Sequence, residues 1–123
     1  MIMKNTINWF EIPSVDFDRA VRFYSTVFDV ELHMENVMGV QSGIFPNGDE
    51  NAVNGAVVFS PNYEPSTKGS VVYLNVTGQM KTVLDRIEPA GGKVAMPPTD
   101  IGFGFIAFFL DTEGNKVGLH SEN

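Results

Sequence analysis

Trp9–Val30, WFEIPSVDFDRAVRFYSTVFDV, reads as a strand, a short turn and an amphipathic helix. Phe17, Ala20, Val21, Tyr24 and Phe28 fall on one stripe of a 3.6-residue period. Asp16 stands at the N-cap, where a carboxylate accepts from the first free backbone N–H groups. Asp18 and Arg22 lie four apart on the opposite face, in the order that suits the helix dipole. The stripe recurs later: Met80, Val83, Leu84 and Ile87 repeat its first four offsets. A β-rich segment precedes each helix and short β segments follow it. The pattern is one supersecondary unit used twice.

Working outward, Thr6–Ile12 alternates and carries Ile, Trp and Phe, with Pro13 expected to end the strand. After the helix over Phe17–Phe28, strands are expected at Val30–Met38, Val40–Phe45 and Gly55–Phe59, with Pro46–Asn51 as a polar turn. Pro61–Gly69, PNYEPSTKG, reads as a linker. The second half then offers a strand over Ser70–Val76, a helix over Met80–Ala90 stopped by Gly91-Gly92, and a short strand Lys93–Met96 ended by Pro97-Pro98. Phe105–Leu110 and Val117–His120 are strands around Asp111–Asn115, which has hairpin chemistry. The order is βαβββ twice, in modules of about residues 6–60 and 70–121 joined by 61–69.

Composition narrows the function. The 123 residues suit one domain with a real core. A net charge of −7 argues against nucleic acid and against an anionic membrane surface. The absence of cysteine removes disulfides, thiolate metal sites and cysteine nucleophiles together. MIMKNTINWF lacks the apolar core of a signal peptide, and no apolar run is long enough to span a bilayer, so a cytoplasmic location is expected.

Three short motifs carry a family resemblance: Asp16-x-x-Arg19-Ala20-x-x-Phe23-Tyr24, Ala90-Gly91-Gly92, and Asp111-Thr112-Glu113-Gly114-Asn115. In this order, on a duplicated βαβββ pattern, they resemble the vicinal oxygen chelate superfamily of glyoxalases, extradiol dioxygenases and bleomycin-resistance proteins. The resemblance covers nearly all of the chain. It implies an α+β fold in which the modules form a curved, mostly antiparallel open-barrel sheet around a cavity, commonly in a homodimer.

Enzymes of that superfamily hold a divalent metal with His, Glu or Gln side chains from four strands, and the metal serves as Lewis acid and template. Placed by the motifs, the corresponding positions here are Trp9, Val71, Gly118 and one on Gly55–Phe59. None offers a ligand, so no metal or other cofactor is expected. Residues in phase with those positions should point into the cavity: Trp9 and Glu11, then Val71, Tyr73 and Asn75, then Lys116, Gly118 and His120. The out-of-phase residues Phe10, Ile12, Leu74, Val76, Val117 and Leu119 suit packing beneath the helices.

Trp9, Glu11, Tyr73, Asn75 and His120 are therefore the candidate ligand-binding residues, and Glu11, Tyr73 and His120 the candidates for acid–base chemistry. The plainer reading makes Glu11 a solvated strand-end carboxylate and His120 a surface side chain. Trp9 serves equally as core packing or a stacking platform, and His33, between Glu31 and Glu35, is expected to be exposed. Gly102-Phe103-Gly104 lacks the third glycine and the helix of a dinucleotide loop. The first function implied is metal-independent binding of a small organic molecule in an aromatic-lined cavity. The alternatives are a divergent glyoxalase- or dioxygenase-like enzyme and a non-catalytic dimeric interaction domain.

Overall fold

The computed structural model describes residue 1 and residues 4–123. Its elements are β1 (Trp9–Pro13), α1 (Phe17–Phe28), β2 (His33–Val37), β3 (Val40–Ile44) and β4 (Asn54–Phe59), then β5 (Tyr73–Asn75), α2 (Met80–Ile87), β6 (Lys93–Asp100), β7 (Phe105–Leu110) and β8 (Lys116–Ser121). Each half contributes a four-stranded mixed sheet, ordered β1-β4-β3-β2 and β5-β8-β7-β6. In each, the first strand lies parallel to the last and the other pairings are antiparallel. This is the α+β architecture expected from the doubled pattern, with no closed barrel.

One core joins the halves. Ile12 and Val57 from the first sheet and Ala107, Phe109, Val117 and Leu119 from the second pack with Ala20, Phe23, Tyr24 and Val27 of α1 and Val83 and Ile87 of α2. Of these strand residues, Ile12, Val117 and Leu119 have the parity that the sequence assigns to the helix side. The α1 stripe is rotated from its expected position. Its buried residues are Ala20, Phe23, Tyr24 and Val27, while Phe17 is only half-buried. The rotation follows from α1 meeting two neighbours, the sheet and α2, so that it buries a wider arc than one stripe.

Several boundaries differ from expectation, each for a local reason. The first strand includes Pro13, and Ser14 continues the association: its N–H and its hydroxyl both donate to Val58 O, at 2.9 and 2.8 Å. The second strand begins at His33 rather than Val30, because Val30 N still donates to Ser25 O and closes the helix. Helix α2 stops at Ile87, two residues before Pro89, which has no N–H for the ladder. The strand that starts at Lys93 runs through Pro97-Pro98 to Asp100. It can do so as the edge strand of its sheet, with register shifts on both sides of Met96. Strand β5 shrinks to Tyr73–Asn75, although Gly118 N donates to Val72 O and Val76 N to His120 O at its ends.

Candidate functional site

The helix-free face of the second sheet carries most of the candidate residues. Register pairs Tyr73 with Gly118 and Asn75 with His120, and Gly118 in turn faces Phe108. The Tyr73 ring lies directly over Gly118: a Cβ built there would meet Tyr73 Cδ1 at 2.5 Å. Tyr73 and Phe108 have ring centroids 5.7 Å apart, and Lys116 Nζ sits 4.4 Å from the Phe108 centroid. Tyr73 remains 46% exposed. The arrangement is a small aromatic platform with a cation at one side, suited to stacking a flat organic group. Phe108 and Lys116 were not singled out as binding residues from sequence. Phe105–Leu110 is apolar on both faces, so its alternation carries no signal, and register to Gly118 supplies it.

The remaining candidates are distributed around this platform. His120 is half-buried, its Nε2 3.3 Å from Phe103 O. Asn75 is exposed and accepts from Thr77 N at 3.0 Å. Trp9 is 46% exposed on β1 opposite Asn54, so it is not core. Glu11 belongs to the other sheet, and the hollow of about 160 Å³ that it lines is walled also by Ser70, Val72 and Lys116. Tyr73 and His120 are not among the residues of that hollow. The structure thus groups Tyr73, Asn75 and His120 on adjacent strands and does not bring Glu11 into contact with them. His33 is exposed and pairs with Glu35 at 2.7 Å.

The positions that correspond to the family's metal ligands do not fit a metal. Trp9 and Val71 present an indole and an isopropyl group, and the space above Gly118 is filled by the Tyr73 ring. Strand β4, where a fourth ligand belongs, is buried from Gly55 through Val58 and carries no donor side chain over those residues. Among the described residues, no three His, Cys, Asp or Glu side chains stand close enough to hold an ion.

The signature motifs have a different job, and they converge on one place. Glu113, with its side chain 0% exposed, accepts from Val15 N at 3.0 Å, Asp16 N at 2.7 Å, Arg19 Nε at 2.8 Å and Thr112 Oγ1 at 2.7 Å. Burial pushes its carboxyl up, but the Arg19 guanidinium, the two backbone N–H groups and Thr112 together hold it below its ordinary 4.5. The same bond raises the Arg19 guanidinium. Tyr24 donates to Asp111 Oδ2 at 2.7 Å, and burial, reinforced by that carboxylate, moves its phenol well above the usual value. Asn115 donates to Pro13 O at 2.7 Å and to Asp111 Oδ2 at 2.9 Å. Gly92 completes the knot, because a Cβ there would meet Leu110 O and the Phe23 ring, each at 2.7 Å. The β7–β8 turn of the second module is therefore locked to the start of α1 in the first. The motifs identify a fold because they hold its halves together.

Comparison with known proteins agrees with this geometry. The chain belongs to the glyoxalase/bleomycin resistance protein/dioxygenase superfamily, whose family model matches residues 6–119. It is 31% identical over 126 residues to a Mycobacterium tuberculosis protein named "Putative glyoxylase CFP32", covering 98% of this chain but 47% of that one. The chain thus spans about half the length of that curated relative. It is 28% identical over 131 residues to a "Glyoxylase-like domain-containing protein" of Didymella fabae, covering 97% and 95% of the two chains. A solved glyoxylase/bleomycin resistance protein/dioxygenase domain from Frankia sp. superposes over 100% of both chains with a TM-score of 0.72 at 14% identity, a likeness of fold.

Proposed function

We propose that this superfamily member binds a small organic molecule without a metal, on the helix-free face around Tyr73, Phe108 and Lys116, with Trp9 of the first sheet as a further contact. The observation that carries the reading is the replacement of metal-ligand positions by aromatic surface: Tyr73 lies over the bare Gly118 and is still half-exposed. Exposed aromatic area beside a cation favours a flat, electron-rich ligand. Asn75 and His120, one row along the same face, supply the polar groups that would orient it.

Trp9 is the only tryptophan, so native emission reports on this face without labelling. A panel of small aromatic molecules, titrated in the presence of EDTA, should contain saturable quenchers of Trp9 emission. Tyr73→Ala should weaken the best of them about tenfold, the usual loss for a central aromatic contact. Quenching that requires added metal, or that is indifferent to Tyr73→Ala, contradicts the reading.

A second copy of the chain is the other proposed partner. Val71, Phe103 and Met38 are 38%, 79% and 99% exposed, individual apolar side chains that a dimer would cover. Sedimentation equilibrium should then give twice the chain mass, and Phe103→Asp should shift it toward the monomer. A monomer at all concentrations contradicts the dimer.

A further inference from the structure

A second cleft opens on the helix side at the junction of the modules. Its volume is about 490 Å³, within the roughly 300–1,000 Å³ of small-molecule sites. One wall is Phe10, Phe28 and Phe45 of the first module; the other is Leu74 and Val83 of the second. The aromatic wall is braced internally. Phe45 lies 6.0 Å from Phe10 and 6.4 Å from Phe28, and Tyr24 stacks on Phe28 at 6.1 Å.

One charged side chain, Arg86, lines this cleft, and no carboxylate does. Among the described residues Arg86 forms no ion pair; its only side-chain bond is a long one, 3.4 Å, to Val27 O. Yet the chain carries nearly twice as many acidic as basic residues, 15 to 8. Arg86 is thus a half-buried guanidinium that no carboxylate among the described residues neutralises. Gln79 and Val83 precede Arg86 on the same stripe of α2 and line the cleft with it. Gln79 stands at the N-cap but makes no side-chain cap bond, so its amide is free to donate. Asn54 and Thr77, by contrast, are engaged with Phe45 O and Glu122 N.

We propose that this cleft is a binding site for a small aromatic or aliphatic carboxylate. Its apolar body lies between the phenylalanine wall and Leu74, and its carboxylate is taken by the Arg86 fork with help from Gln79. A guanidinium matches a carboxylate in two parallel hydrogen bonds, and an apolar surround strengthens them. The cleft meets the Tyr73 face at Asn75, which borders both, but neither Tyr73 nor Trp9 lines it.

Phenylacetate and its neutral isostere phenylacetamide test this directly, with binding followed by backbone amide NMR shifts. Phenylacetate should bind about tenfold tighter or more and move the amides around Leu74, Val83 and Arg86. Arg86→Gln should make the two probes equal, and Arg86→Lys should keep part of the preference, having the charge without the fork. The comparison of probes in the unaltered protein stands even if a variant folds poorly. Equal affinity for the two probes, no saturation by millimolar phenylacetate, or shifts centred on Tyr73 and Trp9 would each overturn the proposal.

Discussion

Glu113 is the residue on which the most physical consequence rests. Its carboxylate is buried and satisfies two backbone N–H groups at the head of α1 together with the Arg19 guanidinium. Removing it leaves those donors without a partner, so Glu113→Ala should cost about 2–3 kcal/mol in urea unfolding, discounted because Arg19 stays 43% exposed and can rehydrate. The sign of its pH dependence follows from the lowered folded value. Near neutrality both states are ionised and the stabilisation is complete. On acidification the unfolded chain takes up its proton first, near 4.5, and the contribution is lost as pH falls through the lower folded value. Urea midpoints measured from about pH 7 down to about pH 3 should therefore fall less steeply for Glu113→Gln than for the native chain. Parallel profiles would show that Glu113 does not carry the effect. Gly118 offers a steric test of the platform: Gly118→Ala must displace the Tyr73 ring, and a cost of about 1–3 kcal/mol is expected for such overpacking. None of this was legible residue by residue in the sequence. DTEGN advertises a hairpin, and a buried glutamate inside a turn becomes visible only once α1 is seen to start against it.

At the scale of elements the sequence was most informative where one period dominates. Helix α1 has its expected bounds because Asp16 caps it, its carboxylate accepting from Arg19 N at 3.1 Å, and because the 3.6-residue pattern is unbroken. Asp16→Ala should remove about 1 kcal/mol, read as a lower urea midpoint, and Asp16→Asn should restore most of it. An unchanged midpoint for Asp16→Ala would mean that Glu113 alone holds the helix start. The inward and outward parities of β1, β5 and β8 were likewise legible, since strict alternation fixes them once a single residue is placed. Less legible were elements set by tertiary context. Pro97-Pro98 punctuates a strand in sequence, yet β6 passes through it because an edge strand need not donate from every residue. Strand alternation set which side chains leave the helix side, and Trp9, Glu11, Tyr73 and Asn75 are exposed accordingly. It did not reveal Phe108 and Lys116 as neighbours of Tyr73, which depends on register across two strands, or the cleft at Arg86, which depends on how the modules meet.

At the scale of the whole molecule, two copies of one unit are bound by one core and by the knot around Glu113, Tyr24 and Asn115. Trp9 emission, which reports on the first module, and far-UV circular dichroism, which reports on both, should consequently share one urea midpoint. Two separated midpoints would mean that the modules fold independently. The same duplication draws the positions that correspond to the family's metal ligands from both halves, where this chain carries Trp9 on β1, Val71 just before β5 and Gly118 on β8. Superfamily membership and the chemistry of those positions thus point in different directions, and the proposed metal-independent function rests on the second. Equilibrium dialysis against nickel, zinc, manganese and iron(II), with metal counted per chain, tests that choice most directly. Far less than one equivalent of any metal per chain is predicted, whether or not an aromatic ligand is bound. One tightly held equivalent, lost on Glu11→Ala or His120→Ala, would contradict it and place a metal-dependent reaction on the face assigned here to an organic ligand alone.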